Sequence, residues 1–302
     1  MKAVQYASYG PPEVLTVVEV EEPHAGPGQI QIQVLAAGVN PVDTKLRSGA
    51  LEQVMPVALP KIPGGDAAGT VTELGEGVTG VELGDEVWGW TVTGATAELA
   101  LMEHWAHRVP GLSAEEAAGF PVAVETAVRV LDLLGVGQGQ TVLVNGAAGG
   151  VGIAAVQLAQ LRGATVIGTA SESNHDYLRS LGVTPTTYGE GMADRVAALA
   201  PQGVDRVFDT AGAGMDDLIT IGGGPQHIVT INDFTAGDKG VRISAGGPDN
   251  QALQALPLVA GLVEQGRFSI PVAATFPLER AAEAHRESET GHVRGKIVIL
   301  VG

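Results

Sequence analysis

The chain has 302 residues, 43 of them glycine, no cysteine, and a formal net charge of −17. Such an acid excess repels phosphate backbones and anionic lipid, which excludes nucleic acid and membrane as partners. Without cysteine there are no disulfides, thiol nucleophiles or thiolate metal ligands.

The length and a hydrophobic content of 45% suit a folded protein of two ordinary domains. The opening MKAVQYASYGPPEVL lacks the apolar run of a signal peptide, and no stretch approaches the length of a membrane span. A cytoplasmic enzyme or binding protein is the expectation.

The first part of the chain reads as β-structure. Residues 14–20 and 30–36 are short segments rich in valine and isoleucine, separated by Pro23, Gly26, Pro27 and Gly28 as turn residues. Residues 67–74 and 86–92 are further strands, and LGEGVTGVELGDEVWGW is turn-rich, as in a compact barrel-like domain. Trp88 and Trp90 alternate, so one is expected in the core and the other on the surface. Near Ser113 the pattern becomes helical. Ser113 and Glu116 form a capping box, and residues 125–134 give a second helix.

Alternation follows. TVLVNG, TVIGTA, VDRVFDTAG and HIVTIND read as strands; VGIAAVQLAQLRG and NHDYLRSLG read as helices. Strands alternating with helices predict a parallel sheet with helical crossovers. The tail PLERAAEAHRESETGHVRGKIVILVG is a helix, a loop and a final strand that returns to the first domain.

The turn Ala147-Ala148-Gly149-Gly150-Val151-Gly152 links a wholly apolar strand to a wholly apolar helix. In so glycine-rich a chain a bare pattern is weak evidence, and a ligand-free βα turn competes; the strand–turn–helix context favours phosphate binding. Gly149 has no Cβ, so backbone can approach a diphosphate there, and Gly152 permits close contact between helix and strand. Ala147 stands where the first glycine of G-x-G-x-x-G would be. Amides of residues 147–152, including Gly150 and Val151, face the phosphates with the helix dipole behind them.

A coenzyme preference is legible at the next strand end. An acid that bonds the ribose hydroxyls of NAD stands about 20 residues beyond the glycines. Here Ala170 and Ser171 occupy that place. Ser171, Ser173 and Asn174 can donate to a 2′-phosphate, with His175 and Arg179 adding charge, so NADPH is favoured. Glu172 in the same loop argues for NADH, and a plain helix N-cap cluster explains residues 171–174 equally simply.

At this point the chain resembles a family: the zinc-independent medium-chain dehydrogenases/reductases of the quinone oxidoreductase type. The resemblance covers nearly the whole chain. It is carried by MKAVQYASYGPPEVLTVVEVEEP, AAGVNPVDTKLRSG, IPGGDAAGTVTELGEGVTGVELGDEVWG, NGAAGGVGIAAVQLA, VFDTAG and GKIVILV. It implies an α/β fold with a GroES-like β domain over residues 1–115, completed by 264–302. A Rossmann-type doubly wound parallel sheet would occupy 116–263. It also implies a cleft where nicotinamide meets substrate, and NADPH-dependent hydride transfer to a small electron acceptor, a quinone or a carbonyl-conjugated alkene.

The resemblance also assigns roles. Asn40, in NPVD, would hydrogen-bond near the nicotinamide ribose or the substrate carbonyl; an Asn-Pro turn is the plainer explanation. Asp43 would orient Lys45 or Arg47, or cap the short helix DTKLRSG. Lys45 stands where some relatives have a tyrosine proton donor, and is otherwise a solvated surface lysine. Thr126, read as beginning a helix, would touch the nicotinamide end, with helix capping as the alternative. Tyr188 would lie by the adenosine phosphate. Thr210 and Ala211 end a strand near the coenzyme, and Ile231-Asn232 with Gly246-Gly247 would cover the nicotinamide.

Zinc-using relatives carry cysteine where this chain has Asn40, histidine where it has Gly65, and glutamate where it has Asp66. Zinc prefers thiolate or imidazole, so hydride transfer without a metal is expected. His104 and His107 form an H-x-x-H pair without a third ligand in view.

A short-chain dehydrogenase would need Tyr-x-x-x-Lys, and no tyrosine here has a lysine four positions on. A non-enzymatic NADPH-binding sensor shares every coenzyme motif and stays open. The stretch after Ala211 is short for the family, which leaves the physiological acceptor unread. Residues 242–245 form a candidate edge strand, through which a homodimer is expected.

Overall fold

The computed structural model describes residues 1–247 and 251–302. These fall into two compact units, Met1–Val122 with Leu256–Gly302, and Ala123–Ala255. In chain order the first unit contributes β1 (Lys2–Gln5), β2 (Thr16–Glu19), β3 (Ile30–Val39), α1 (Pro41–Ser48), β4 (Asp66–Leu74), β5 (Glu86–Thr91), β6 (Leu99–His107) and α2 (Ala114–Ala118). Helix α3 (Pro121–Leu133) carries the chain into the second unit. There follow β7 (Thr141–Asn145), α4 (Gly150–Leu161), β8 (Thr165–Thr169), α5 (His175–Ser180), β9 (Thr184–Thr186), α6 (Met192–Leu199), β10 (Arg206–Asp209), α7 (Met215–Ile221), β11 (Ile228–Thr230) and β12 (Arg242–Ile243). The return is α8 (Ala255–Glu264), β13 (Val272–Pro277), α9 (Ala281–Glu289) and β14 (Lys296–Leu300).

Strand β3 organises the first unit. It pairs with β4, with β6 and with β14, all antiparallel, so β3 to β6 close into the expected barrel and the chain's last strand is sewn onto it. Irregular register between Gln31 and Ile32 and between Val34 and Ala36 bends the strand. One half can then face β6 and the other β14. Two glycines permit close crossings: a Cβ on Gly38 would stand 2.3 Å from Ala118 O, and one on Gly69 2.2 Å from Gln33 O. Ile30, Ile32, Val71, Met102, Ile297 and Ile299 fill the core. Trp88 is fully buried, its ring edge-on to Phe120, which meets Phe268 in the same way. Trp90 is half-buried and pairs with His104 of β6.

The second unit is a six-stranded sheet in the order β12-β11-β10-β7-β8-β9, every pair parallel. Counted within the unit this is the doubly wound order, with its switch point between β7 and β10. β7 is buried at every residue, as a strand covered on both faces must be. β12 lies at the sheet's edge, within the segment expected there.

Several boundaries differ from the sequence reading, and two of the differences have a plain cause. The segment at 14–20 is a strand only over Thr16–Glu19, because Pro12 starts a 3-10 turn through Val14. The helix expected at 125 begins at Pro121, where a residue without an N–H costs nothing in the first turn. Thr126 is therefore inside a helix, not at its start. The Ser113–Glu116 capping box is present at the head of α2.

Candidate active site

In the second unit the carboxyl ends of the parallel strands carry most of the expected coenzyme residues. Gly146, directly after β7, has φ +86° and makes the sharp turn, a role the sequence reading had looked for at position 147. Ala147 is buried; its N–H donates to Thr169 O (2.9 Å), and its Cβ lies where only a glycine, Gly168, fits beneath it. Gly152 crosses tightly too: a Cβ there would stand 2.2 Å from Gly146 O. Gly149 is different. A Cβ on it would meet only Gly146 O, at 3.7 Å, so that face of the turn is open. The N–H groups of Ala148, Gly150, Val151 and Gly152 have no acceptor among the described residues, as at the start of any helix, where the first N–H groups lack an intrahelical partner.

A buried polar network holds this edge in shape. Asp209, at the end of β10, accepts from Asn145 Nδ2 (2.9 Å), from the amides of Ala211 (3.1 Å) and Gly212 (3.0 Å), and from Thr230 Oγ1 (2.7 Å). Thr169 Oγ1 donates to Asn145 Oδ1 (2.6 Å) and accepts from Gly146 N–H (3.0 Å). Thr210 Oγ1 donates to Asn145 O (2.8 Å). The ends of β7, β8, β10 and β11 are thus tied by side chains, and every polar group is satisfied. The sequence hinted at this network only through polar residues closing each apolar strand.

Beyond β8, Ser171 Oγ and Ser173 Oγ lie 3.1 Å apart, and Asn174 Nδ2 donates to Ser171 Oγ (3.0 Å). None of the three caps α5 with its side chain. Arg179 is paired with Asp176 (2.7 Å), and His175 Nε2 is 3.3 Å from Ala170 O. Glu172 is exposed. Tyr188 follows β9 and is 58% exposed, and Ile231 follows β11, its N–H bonded to Asp209 O (3.1 Å).

Thr126 is buried on α3 beside an ion pair that the sequence reading missed. Arg129 Nε donates to Glu125 Oε1 (2.7 Å), and Arg129 also bonds Ser244 Oγ and approaches Thr126 Oγ1 (3.4 Å). Glu125 Oε1 in turn accepts the N–H of Ala252 (3.1 Å). Gly246 has φ +78°, and a Cβ there would meet the Arg129 guanidinium at 3.4 Å. The i,i+4 pair on α3 therefore grips the chain on both sides of Gly246. Spacing alone marks Glu125 and Arg129 as partners; their grip on residues 244 and 252 has no local signal.

In the first unit Asn40 and Asp43 face each other across the start of α1. Asp43 Oδ2 accepts Asn40 N–H (2.8 Å), and Asp43 N–H donates to Asn40 O (3.0 Å), the capping arrangement. Arg47 instead reaches Gly10 O (3.2 Å) and Glu289. Burial pushes the Asp43 carboxyl up to about 7, against the Asn40 amide that pulls it down. Lys45 is half-buried, and its ammonium is lowered by that burial.

The Asn40 side chain is itself committed: Nδ2 donates to Asp66 Oδ2 (2.9 Å), and Oδ1 accepts from Lys296 Nζ. Asp66 Oδ1 accepts the N–H of Val122 in the first turn of α3 (3.0 Å). Lys296 Nζ is 3.6 Å from Asp66 Oδ2. Burial raises the Asp66 carboxyl, and the Lys296 charge is first among the influences that oppose it.

Two family models match. Residues 26–119 match the alcohol dehydrogenase GroES-like domain and residues 181–299 the zinc-binding dehydrogenase domain. A quinone oxidoreductase of Lama guanicoe is 32% identical over 329 residues, covering 100% of this chain and 98% of its own. A 2-methylene-furan-3-one reductase of Solanum lycopersicum is 32% identical, over 99% of this chain and 79% of its own. A mycobacterial protein solved in complex with NADPH superimposes with a TM-score of 0.86 at 26% identity, covering both chains completely. The chain belongs to the medium-chain dehydrogenases/reductases, and within them to the quinone oxidoreductase type. It is an oxidoreductase of a family that works with a nicotinamide coenzyme.

The residues fit that coenzyme: among the described residues nothing crowds the face at Gly149 and no acceptor meets the amides at the head of α4, which suits a diphosphate. They do not fit the zinc in the second domain's name. Asp66 has both oxygens engaged by N–H donors and an ammonium beside it, Asn40 is a poor zinc ligand, and Gly65 offers none. Among the described residues no three His, Asp or Glu side chains are placed to hold a metal. His107 Nε2 meets Gly80 O (2.9 Å), and its Nδ1 lies 3.8 Å from Asp85.

Proposed function

We propose that the chain is an NADPH-dependent reductase of quinones and α,β-unsaturated carbonyls that needs no metal. The observation that carries this reading is the cradle at the head of α4: among the described residues, open space over Gly149 and four amides without an acceptor, with a buried network fixing the strand ends around them. When bound there, the dihydronicotinamide supplies a hydride. The chain binds and orients it. Gly149, Gly150, Val151 and Gly152 hold the diphosphate, and Tyr188 lies along the adenosine side. Thr126, Thr210, Ala211, Ile231 and Gly246 set the ring's position, with Gly246 anchored through Arg129.

Ser171, Ser173 and Asn174 present donors to the 2′-phosphate, Ala170 and Ser171 stand where an NAD site has its acid, and Glu172 in the same loop is exposed. Hydrogen bonds to such a charged group are worth about 1.5–3 kcal/mol, roughly ten-fold or more in affinity over NADH. An acceptor that takes hydride without Lewis-acid help is already electron-poor, which suits quinones and conjugated enones. Asn40 offers its amide to the acceptor oxygen as negative charge develops there. A proton from solvent completes the two-electron reduction. The names of the two curated relatives support this substrate class.

The test is consumption of NADPH, followed by its near-ultraviolet absorbance, with 1,4-benzoquinone and a short alkenal as acceptors. Turnover with NADPH well above that with NADH is expected. Binding without turnover on a broad acceptor panel would replace the reductase with a coenzyme sensor, and no binding of either reduced coenzyme would remove both.

A further inference from the structure

The reductase reading leaves Lys296 without a task, although it is one of the most buried cations in the first unit, 4% exposed. Sheet pairing explains how it reaches Asn40 across 256 positions of sequence. β14 and β4 flank β3: Ile297 pairs with Val39, and Asp66 pairs with Gly38. The residue before Ile297, the residue after Val39 and the first residue of β4 thereby meet. The resulting cluster is closed. Lysine only donates, and both Asp66 oxygens accept N–H bonds, the pattern of an ionised carboxylate.

We propose that Lys296 is a positioning residue that acts through Asn40: its ammonium, with Asp66 opposite, locks the amide in one orientation and strengthens its remaining N–H as a donor. The inference rests on the reductase reading and deepens it. Turning the amide by half a revolution would set N–H against ammonium and carbonyl oxygen against carboxylate. Both contacts are repulsive, in a site too dry to screen them. With Nδ2 bound to Asp66 by one hydrogen, the second hydrogen is what Asn40 has left to offer. A cation on Oδ1 draws density from the amide nitrogen, so that hydrogen becomes a better donor to an oxygen gaining charge. Folding does not account for the arrangement, since a buried ion pair contributes little beyond apolar residues of the same volume.

The test compares wild type with K296M/D66N, which removes both charges and keeps side-chain size, and with K296Q, which keeps a donor but no charge. Acceptors are a graded series of substituted benzoquinones and enones. NADPH affinity, read by fluorescence titration, is expected to stay within about two-fold of wild type. The fall in kcat is expected to grow along the series, from about three-fold on the most electron-poor quinone to roughly hundred-fold on the least activated enone. In an N40A background, K296M is expected to change kcat no further. In urea unfolding of the coenzyme-free chain, N40A and K296M are expected to be less than additive.

An equal loss on every acceptor, a full additional loss in the N40A background, or additive unfolding effects would overturn the inference. So would failure of both neutral variants to fold while K296R folds and works, since the cluster would then serve folding alone. A wild-type chain that reduces no acceptor removes the reductase reading itself; wild-type turnover with unchanged neutral variants removes only this role.

Discussion

Asp43 and His285 are both buried in the first unit and titrate in opposite senses. Burial raises Asp43 from an ordinary value of 3.8 to about 7. Between those values the folded chain keeps a proton that the unfolded chain has lost, so stability falls as pH rises through the window. Burial, helped by the Arg47 charge, lowers His285 from 6.5 to about 4. Between those values the unfolded chain takes a proton that the folded chain refuses, so stability falls as pH drops. The two slopes oppose each other from pH 4 to 6.5. Each is worth a few kcal/mol at about 1.4 kcal/mol per pKa unit. In urea titrations D43N is expected to uncover a stability that rises with pH over that range, and H285Q one that falls. A wild-type slope unchanged by either variant would contradict the assignment. Neither residue's burial is visible locally: Asp43 reads as a helix cap, which it is, and His285 as one polar residue on an amphipathic helix.

At the scale of elements, the turn before α4 separates folding from binding. Gly152→Ala drives a Cβ into the Gly146 carbonyl, an overpacking expected to cost about 1–3 kcal/mol in denaturant unfolding. Gly149→Ala meets no close neighbour and has an ordinary φ of −77°. It is expected to leave unfolding within about 0.5 kcal/mol of wild type and to weaken NADPH binding roughly ten-fold or more, because its methyl would fill the place proposed for the diphosphate. On α3, Arg129→Met strands Glu125 in the interior. That is expected to cost about 3–5 kcal/mol, while E125Q/R129M costs less, a difference readable by the same unfolding.

The alternation that defines this sheet was plain in the sequence, because period and glycine punctuation are local. So was the α4 turn, although its sharp φ belongs to Gly146 rather than to Ala147. Lys296 and the 244–252 grip of α3 were illegible, since strand pairing and burial create them, and GKIVIL announces only a strand.

For the molecule as a whole, a net charge of −17 repels an anionic coenzyme. NADPH affinity is therefore expected to tighten as salt rises from very low levels toward about 0.15 M, where the Debye length is about 8 Å. Loosening over that range, read by titration, would show that local cations outweigh the global field. The pairing of β14 with β3 also bears on the order of biosynthesis. Residues 296–300 leave the ribosome after all six strands of the second unit, so the middle of the polypeptide can mature during translation. The opening barrel waits for its closing stitch, and with it for the cation that meets Asn40. A message cut short before codon 296 would thus yield a nucleotide-binding core beside an unfinished partner, an exposed β3 edge inviting capture by chaperones.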